Sequence, residues 1–197
     1  MSNIKTHECF PTIISSFTLE LAHGNMIDYI GKKNAAETAI KQTEDDLHKI
    51  DVFKPLVKDI LYNTKKVLNN LDYYHDSIEI TGMWANQMGM GQTHPPHTHS
   101  NNFLSGVYYL YSSDETAPIQ FFDPRPQASV LQPRFNKPNR YNSSMVQFNS
   151  VEGTGYIFPS WLMHWVPTNV HERISISWNI IVRGPYGQSN SLQNANI

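Results

Sequence analysis

The chain has 197 residues, with 15 Lys and Arg against 17 Asp and Glu and a formal net charge of −2 at pH 7. That length supports one domain with its own buried core, and 40% hydrophobic with only 16% charged residues excludes an intrinsically disordered chain. The near-neutral balance provides no electrostatic drive towards a polyanion, so nonspecific nucleic-acid binding is not expected.

Cys9 is the only cysteine, which excludes an internal disulfide and a cysteine-based zinc site. The stretch MSNIKTHECF lacks the apolar run of a leader, and no later run reaches the ~18 apolar residues needed to cross a bilayer. A cytoplasmic protein with no membrane partner is the expectation.

Taken in order, a short β segment is expected near Pro11 to Leu19, followed by a helix within Met26 to Ile50 after the turn residues Gly24 and Asn25. From Phe53 to Leu71 the apolar residues recur at amphipathic-helix spacing, so a second helix is predicted there. After about residue 76 the character changes. SIEITGMWANQM, NFLSGVYYLY, IQFFD, SMVQFN, TGYIFPSW and RISISWNIIV are short runs rich in β-branched and aromatic residues, separated by Gly, Pro, Asn and Asp. Helices first and strands afterwards predict an α+β domain in which helices cover one face of an antiparallel sandwich or barrel. The helical part covers about 20–72 and the strand-rich part about 76–183, within a single domain over 1–185. A polar tail, 186–197, follows, and it looks frayed. Residues 124–144, with four prolines and three arginines, form a long loop.

The chemistry-bearing residues begin at HPPHTHS. Side chains two apart on a strand face the same way, so His97 and His99 are expected to point together, whereas Pro95 and Pro96 turn His94 away. Two such imidazoles suit a metal ion; taken alone, H-x-H favours a polar loop. His164 lies in a turn-like stretch after FPSW, and nine residues later Arg173 opens a strand with Ser175, Ser177 and Asn179 on its own face. An arginine and a serine side by side on one face can grip a carboxylate, the guanidinium by a two-pronged charge-assisted contact. Trp84 and Asn86, two apart, are candidates to line the cavity, with core packing the competing role for Trp84. Trp161 and Trp165 flank His164 and are expected to wall it off. Arg125 belongs to a basic loop, either merely solvated or touching substrate.

The ordered set of H-x-H, YYL, FPSW-x-x-H and R-x-S resembles the 2-oxoglutarate- and Fe(II)-dependent dioxygenases over about residues 75–183. SGVYYL and FPSWLMHWV are closest to a subgroup of such oxygenases from bacteria and marine phages. The resemblance implies a double-stranded β-helix, or jelly-roll, core with the N-terminal helices packed on one face. It implies that His97, His99 and His164 bind Fe(II), and that Tyr109, Arg173 and Ser175 bind the co-substrate 2-oxoglutarate. Trp84, Asn86 and Arg125 would then contact the substrate, by analogy with prolyl hydroxylases a peptidyl side chain, in a host cytoplasm if the gene is phage-borne. One position departs from the wider family. His99 stands where an Asp or Glu ligand is usual, which opens the site to another divalent metal and leaves Asp123 as an alternative carboxylate. Two other readings follow from that departure: a cupin-like three-histidine metalloenzyme that does not use 2-oxoglutarate, and a non-catalytic jelly-roll metal-binding module. The oligomeric state is not encoded in any of these motifs.

Overall fold

The structure is a computed structural model that describes residues 3–33, 41–125, 127–128 and 130–197. In chain order its elements are β1 (Ser15–Thr18), α1 (Gly24–Lys33), β2 (Lys41–Gln42), α2 (Lys54–Asn70), β3 (Ser77–Met88), β4 (His94–His97) and β5 (Leu104–Tyr111). They continue with β6 (Ile119–Phe122), β7 (Met145–Phe148), β8 (Thr154–Pro159), β9 (His164–Val166), β10 (Arg173–Arg183), β11 (Pro185–Tyr186) and β12 (Ala195–Asn196).

Two antiparallel sheets form the core. The larger has the order β1-β8-β5-β10-β3-β2 and the smaller the order β4-β9-β6-β7. Together they make the jelly-roll expected from the sequence, with helices on one side. Strand β10 explains the layering. Ile174, Ile176, Trp178 and Ile180 point to one face and pack with Met26 and Ile30 of α1 and Leu56, Ile60 and Leu68 of α2. The alternate residues Arg173 and Ser175 are buried on the opposite face, towards the smaller sheet. Between the sheets, Val107, Tyr109, Phe121, Tyr156, Phe158 and Leu162 form a second apolar cluster.

Helix α2 matches its prediction closely. Pro55 sits in its first turn, and Leu56, Ile60, Thr64 and Leu68, four apart, are its buried stripe. It ends where Asp72 takes a left-handed φ of 58°, letting the Tyr73 N–H reach back to the Leu68 carbonyl at 3.0 Å. The earlier helix is shorter than the window given to it. It ends at Lys33 in the described chain, residues 34–40 lie outside the described residues, and 41–53 hold β2 and two 3₁₀ turns instead.

Close packing fixes one glycine. A Cβ on Gly106 would sit 2.2 Å from Trp178 Cζ2 and 2.7 Å from the Tyr156 carbonyl oxygen, so only glycine lets that indole lie flat on β5. The polar tail is not frayed as expected: β12 pairs with β11, and Gly184 and Ile197 exchange two backbone hydrogen bonds at 3.0 and 3.1 Å. No helix among the described residues is long and apolar enough to cross a membrane.

Candidate metal centre and co-substrate cradle

Strand β4 is an edge strand whose ladder to β9 is irregular between His94 and His97, which is where Pro95 and Pro96 are accommodated. Its register sets His97 directly opposite His164 of β9, with ring centroids 4.3 Å apart. His164 is therefore on a short strand, not in a turn. His99 arrives by a different route from the one predicted. β4 ends at His97, so strand alternation does not orient His99; its backbone N–H instead donates to the Ser160 carbonyl at 2.9 Å. Its ring then stacks on Trp84 of β3 at 5.8 Å and 22°.

The three histidines converge. One ring nitrogen from each of His97, His99 and His164 lies within 4.8 Å of the other two. Hydrogen bonds fix the protons on two of the rings. His97 Nδ1 meets the Pro95 carbonyl at 2.8 Å and His164 Nδ1 the Leu162 carbonyl at 2.9 Å. A carbonyl only accepts, so in both rings Nδ1 carries the hydrogen and the neutral form leaves Nε2 a bare lone pair. His164 Nε2 faces His99 Nε2 at 3.3 Å. Burial pulls His164 down to about 3, assisted by His97, His99 and His94 and opposed by the Leu162 hydrogen bond. Burial, then His97, pulls His99 down to about 4, against an upward pull from the Asn179 side chain. Neutral imidazoles with converging lone pairs are the donor set a divalent metal requires. Phe158 and Phe121 wall His164, at centroid distances of 4.8 and 5.7 Å. That role was expected of Trp161 and Trp165, but Trp161 is 58% exposed and Trp165 packs on Phe122. The apolar pair to which β6 and β8 give that position left no mark in the motifs.

A second group of polar side chains lies on the inner face of the larger sheet. Ser175 is paired in register with Asn86 on β3 and with Tyr109 on β5, so the three form a row, with Arg173 two residues along β10. All four are buried, Arg173 to 3% exposure. The Arg173 guanidinium donates to the Ala117 carbonyl at 3.0 Å, yet among the described residues its Nε, the Ser175 and Tyr109 hydroxyls and the Asn86 Oδ1 have no hydrogen-bond partner. Among the described residues no carboxylate pairs with Arg173. Neither Glu172 nor Glu152 neutralises it: Glu172 accepts from Gln87, and Glu152 faces His23. Burial lowers the Arg173 pKa, while burial pushes the Tyr109 phenol up to about 12 against the pull of Arg173. A buried cation beside unpartnered hydroxyls fits a carboxylate ligand.

His94 lies outside the trio but not away from it. Its ring stands edge-on to His97 at 4.4 Å, and burial lowers it to about 4, assisted by the charges of His97, Arg173 and His99. An irregularity of β4 between His94 and His97 permits this, and strand alternation could not foresee it. Asp123 lies outside the histidine trio. It forms a two-pronged pair with Arg125, at 2.9 and 2.7 Å, and also accepts from the Arg125 backbone N–H, the capped strand end that D-P-R suggests. Arg125 is thereby engaged with Asp123; it lines a groove of about 650 Å³ between residues 6–14 and 121–148.

The comparisons agree with this architecture. Residues 82–179 match the family described as "Putative 2OG-Fe(II) oxygenase". The chain belongs to the 2-oxoglutarate- and Fe(II)-dependent oxygenase superfamily, and its co-reactants are those of that class, Fe(II) and 2-oxoglutarate. No curated protein sequence matches it. Among solved structures it is similar to a Pseudomonas putida prolyl-4-hydroxylase, at 13% identity and a TM-score of 0.59 over 88% of this chain and 94% of that one. It is similar too to the viral collagen prolyl hydroxylase of Paramecium Bursaria Chlorella virus-1, at 13% identity and a TM-score of 0.57 over 85% and 94%. The α-ketoglutarate-dependent epimerase SnoN from nogalamycin biosynthesis gives 11% identity and a TM-score of 0.64 over 92% and 83%. At these identities the likeness is one of fold.

Proposed function

We propose that this oxygenase holds its iron on Nε2 of His97, His99 and His164 and the far carboxylate of 2-oxoglutarate on Arg173, Ser175 and Tyr109. The observation that carries the reading is the Arg173 guanidinium, buried without an anionic partner beside two unpartnered hydroxyls. A charge in that state is costly unless a ligand completes it. When bound, iron and 2-oxoglutarate supply the oxidising chemistry. The chain's own residues orient and exclude. Arg173 and Ser175 set the co-substrate's direction, Tyr109 donates its phenolic hydrogen, and Phe121 and Phe158 keep water from the imidazoles.

The reaction is the hydroxylation of a peptidyl side chain, prolyl in the first instance, in a cytoplasmic setting such as a phage-infected host. The fold likeness to two prolyl hydroxylases supports this substrate class. Trp84, stacked on His99, and Asn86, in the cradle row, are the substrate-side residues of the cavity, and Arg125 is the contact for a longer chain in the outer groove. Residues 1–185 act as one domain. Three imidazoles in place of two and a carboxylate leave the metal one unit more positive, so other divalent ions compete for it.

The test is anaerobic addition of Fe(II) and 2-oxoglutarate to metal-free protein, following the visible charge-transfer band of a chelated keto-acid. The band is expected in the wild type and much weaker in Arg173→Ala. Bound metal without a band overturns the co-substrate assignment. Proline-containing peptides that gain one oxygen atom, read by mass spectrometry, test the substrate class.

A further inference from the structure

The Arg173 guanidinium is tethered through Nη1, which donates to the Ala117 carbonyl at 3.0 Å. The opposite edge, Nε with Nη2, is the one that Arg125 uses to grip the Asp123 carboxylate, at 2.9 and 2.7 Å. In Arg173 the Nε of that edge has no hydrogen-bond partner among the described residues. The direction in which the open edge faces therefore depends on the Ala117 peptide. That peptide is held by Asn169, which is fully buried. Asn169 Oδ1 accepts the Ala117 N–H at 2.9 Å, and its Nδ2 donates towards the carbonyls of Met88 at 3.2 Å, Gly89 at 3.4 Å and His171. A backbone N–H needs an acceptor and carbonyls need a donor, so the amide has one consistent orientation. Asn169 is itself anchored through its backbone: its N–H donates to the Gln92 carbonyl at 2.7 Å, and its carbonyl accepts from the Gly91 N–H at 2.8 Å. Met88 is the register partner of Arg173 on β3 and packs with Ala117. One amide thus ties together the strand end beside Arg173 and the peptide to which Arg173 donates.

We propose that Asn169 is the positioning residue for Arg173: by fixing the Ala117 peptide and the end of β3, it holds the guanidinium with its Nε–Nη2 edge turned to the far carboxylate of 2-oxoglutarate. This rests on the reading of Arg173 as the co-substrate anchor. A guanidinium makes a two-pronged contact only in its own plane, and a long arginine side chain takes that plane from its surroundings. Asn169 sets the plane in advance, so binding does not have to order the side chain first. Its action runs through Arg173; it is not itself a ligand.

The test compares two keto-acids on the Fe(II)-loaded protein without oxygen, each followed by its charge-transfer band. 2-Oxobutyrate has the same keto-acid end as 2-oxoglutarate and no far carboxylate. Asn169→Ala is expected to bind 2-oxoglutarate about 10–100-fold more weakly than the wild type, the worth of one hydrogen bond to a charged group, and to bind 2-oxobutyrate unchanged. Its affinity for cobalt(II), titrated into metal-free protein and followed by visible absorption, is expected to stay at the wild-type value. An equal loss for both keto-acids, a matching loss of cobalt(II) affinity, or no loss at all overturns the inference, since a merely structural amide would disturb every ligand alike. Arg173→Ala separates the two levels. If it binds 2-oxoglutarate as the wild type does, the reading of the anchor itself fails; if it weakens binding and Asn169→Ala does not, only the positioning role fails. Should thermal melts show that Asn169→Ala does not fold, NMR of the Zn(II)-loaded wild type decides. 2-Oxoglutarate is expected to shift the side-chain amide signals of Asn169, and 2-oxobutyrate to leave them in place. Signals that stay put with 2-oxoglutarate, or move equally with both, overturn the inference.

Discussion

The guanidinium of Arg173 lies over the ring of Tyr109, 5.4 Å from its centroid, with both side chains buried and each keeping one polar atom unpartnered. The ring compensates the buried cation in part, and the two open polar atoms are what an incoming carboxylate completes. Arg173→Met therefore has two opposite consequences. It abolishes 2-oxoglutarate binding in calorimetric titration, and it stabilises the ligand-free protein by about 1–4 kcal/mol, because an apolar side chain replaces an incompletely paired buried charge. A thermal melt without ligand reads the second effect; a midpoint below that of the wild type contradicts it.

Tyr109→Phe removes one hydrogen bond to the co-substrate and leaves the ring beneath Arg173. A loss of about 1 kcal/mol in 2-oxoglutarate affinity, roughly five-fold, is expected, with the melting temperature of the ligand-free protein unchanged or slightly raised. An unchanged affinity places the phenol outside the cradle.

The depressed histidines make the metal-free protein acid-sensitive. His99 and His164 titrate near 4 and 3 when folded, below the ordinary value of 6.5. The unfolded chain then binds more protons as pH falls below about 6.5, so stability present at neutral pH is lost progressively towards pH 4. Urea midpoints of metal-free protein at pH 7.5 and pH 5 check the sign: the midpoint falls in the wild type and falls less in His99→Ala.

Asp123→Ala leaves cobalt affinity untouched, since that carboxylate belongs to Arg125. The stability change is within ~1 kcal/mol, the range of an accessible ion pair. A loss of metal binding instead would return Asp123 to the ligand set.

Gly106→Ala tests the packing between strands. The added methyl meets both the Trp178 indole and the Tyr156 carbonyl oxygen, a backbone atom that cannot swing aside. A destabilisation of about 1–3 kcal/mol is expected from urea unfolding.

How far the sequence discloses this architecture differs by element. β3 and β10 are legible because long runs of β-branched and aromatic residues leave little room for another assignment, and the alternation along RISISWN separates the cradle face from the core face. Arg173, Ser175 and Tyr109 are brought together for that reason. His99 is different. Its approach depends on the carbonyl of Ser160, far along the chain, so local periodicity carries no trace of it. β9 is three residues long, too short for alternation to register, which makes His164 read as a turn residue. Asn179 and Ser105 read as ordinary inward polar positions, since the hydrogen bond between them arises only from the register of β5 and β10.

Strand β10 carries the cradle on one face and part of the helix-packed core on the other, and it is flanked by β3 and β5 from much earlier in the chain. The consequence falls on the order of assembly. As the chain is made, α1, α2 and all the imidazoles emerge before the strand that closes the gap between β3 and β5. Until β10 inserts, the hydrophobic faces of both neighbours stay open, because the larger sheet, which faces the histidine-bearing one, is split down its centre. Closure of that gap is a long-range event, slow by comparison with helix formation, and it completes core and site in one step. A nascent or truncated chain ending before Arg173 thus offers the histidines but no co-substrate cradle, which separates the capture of metal from the capacity to oxidise until folding is finished.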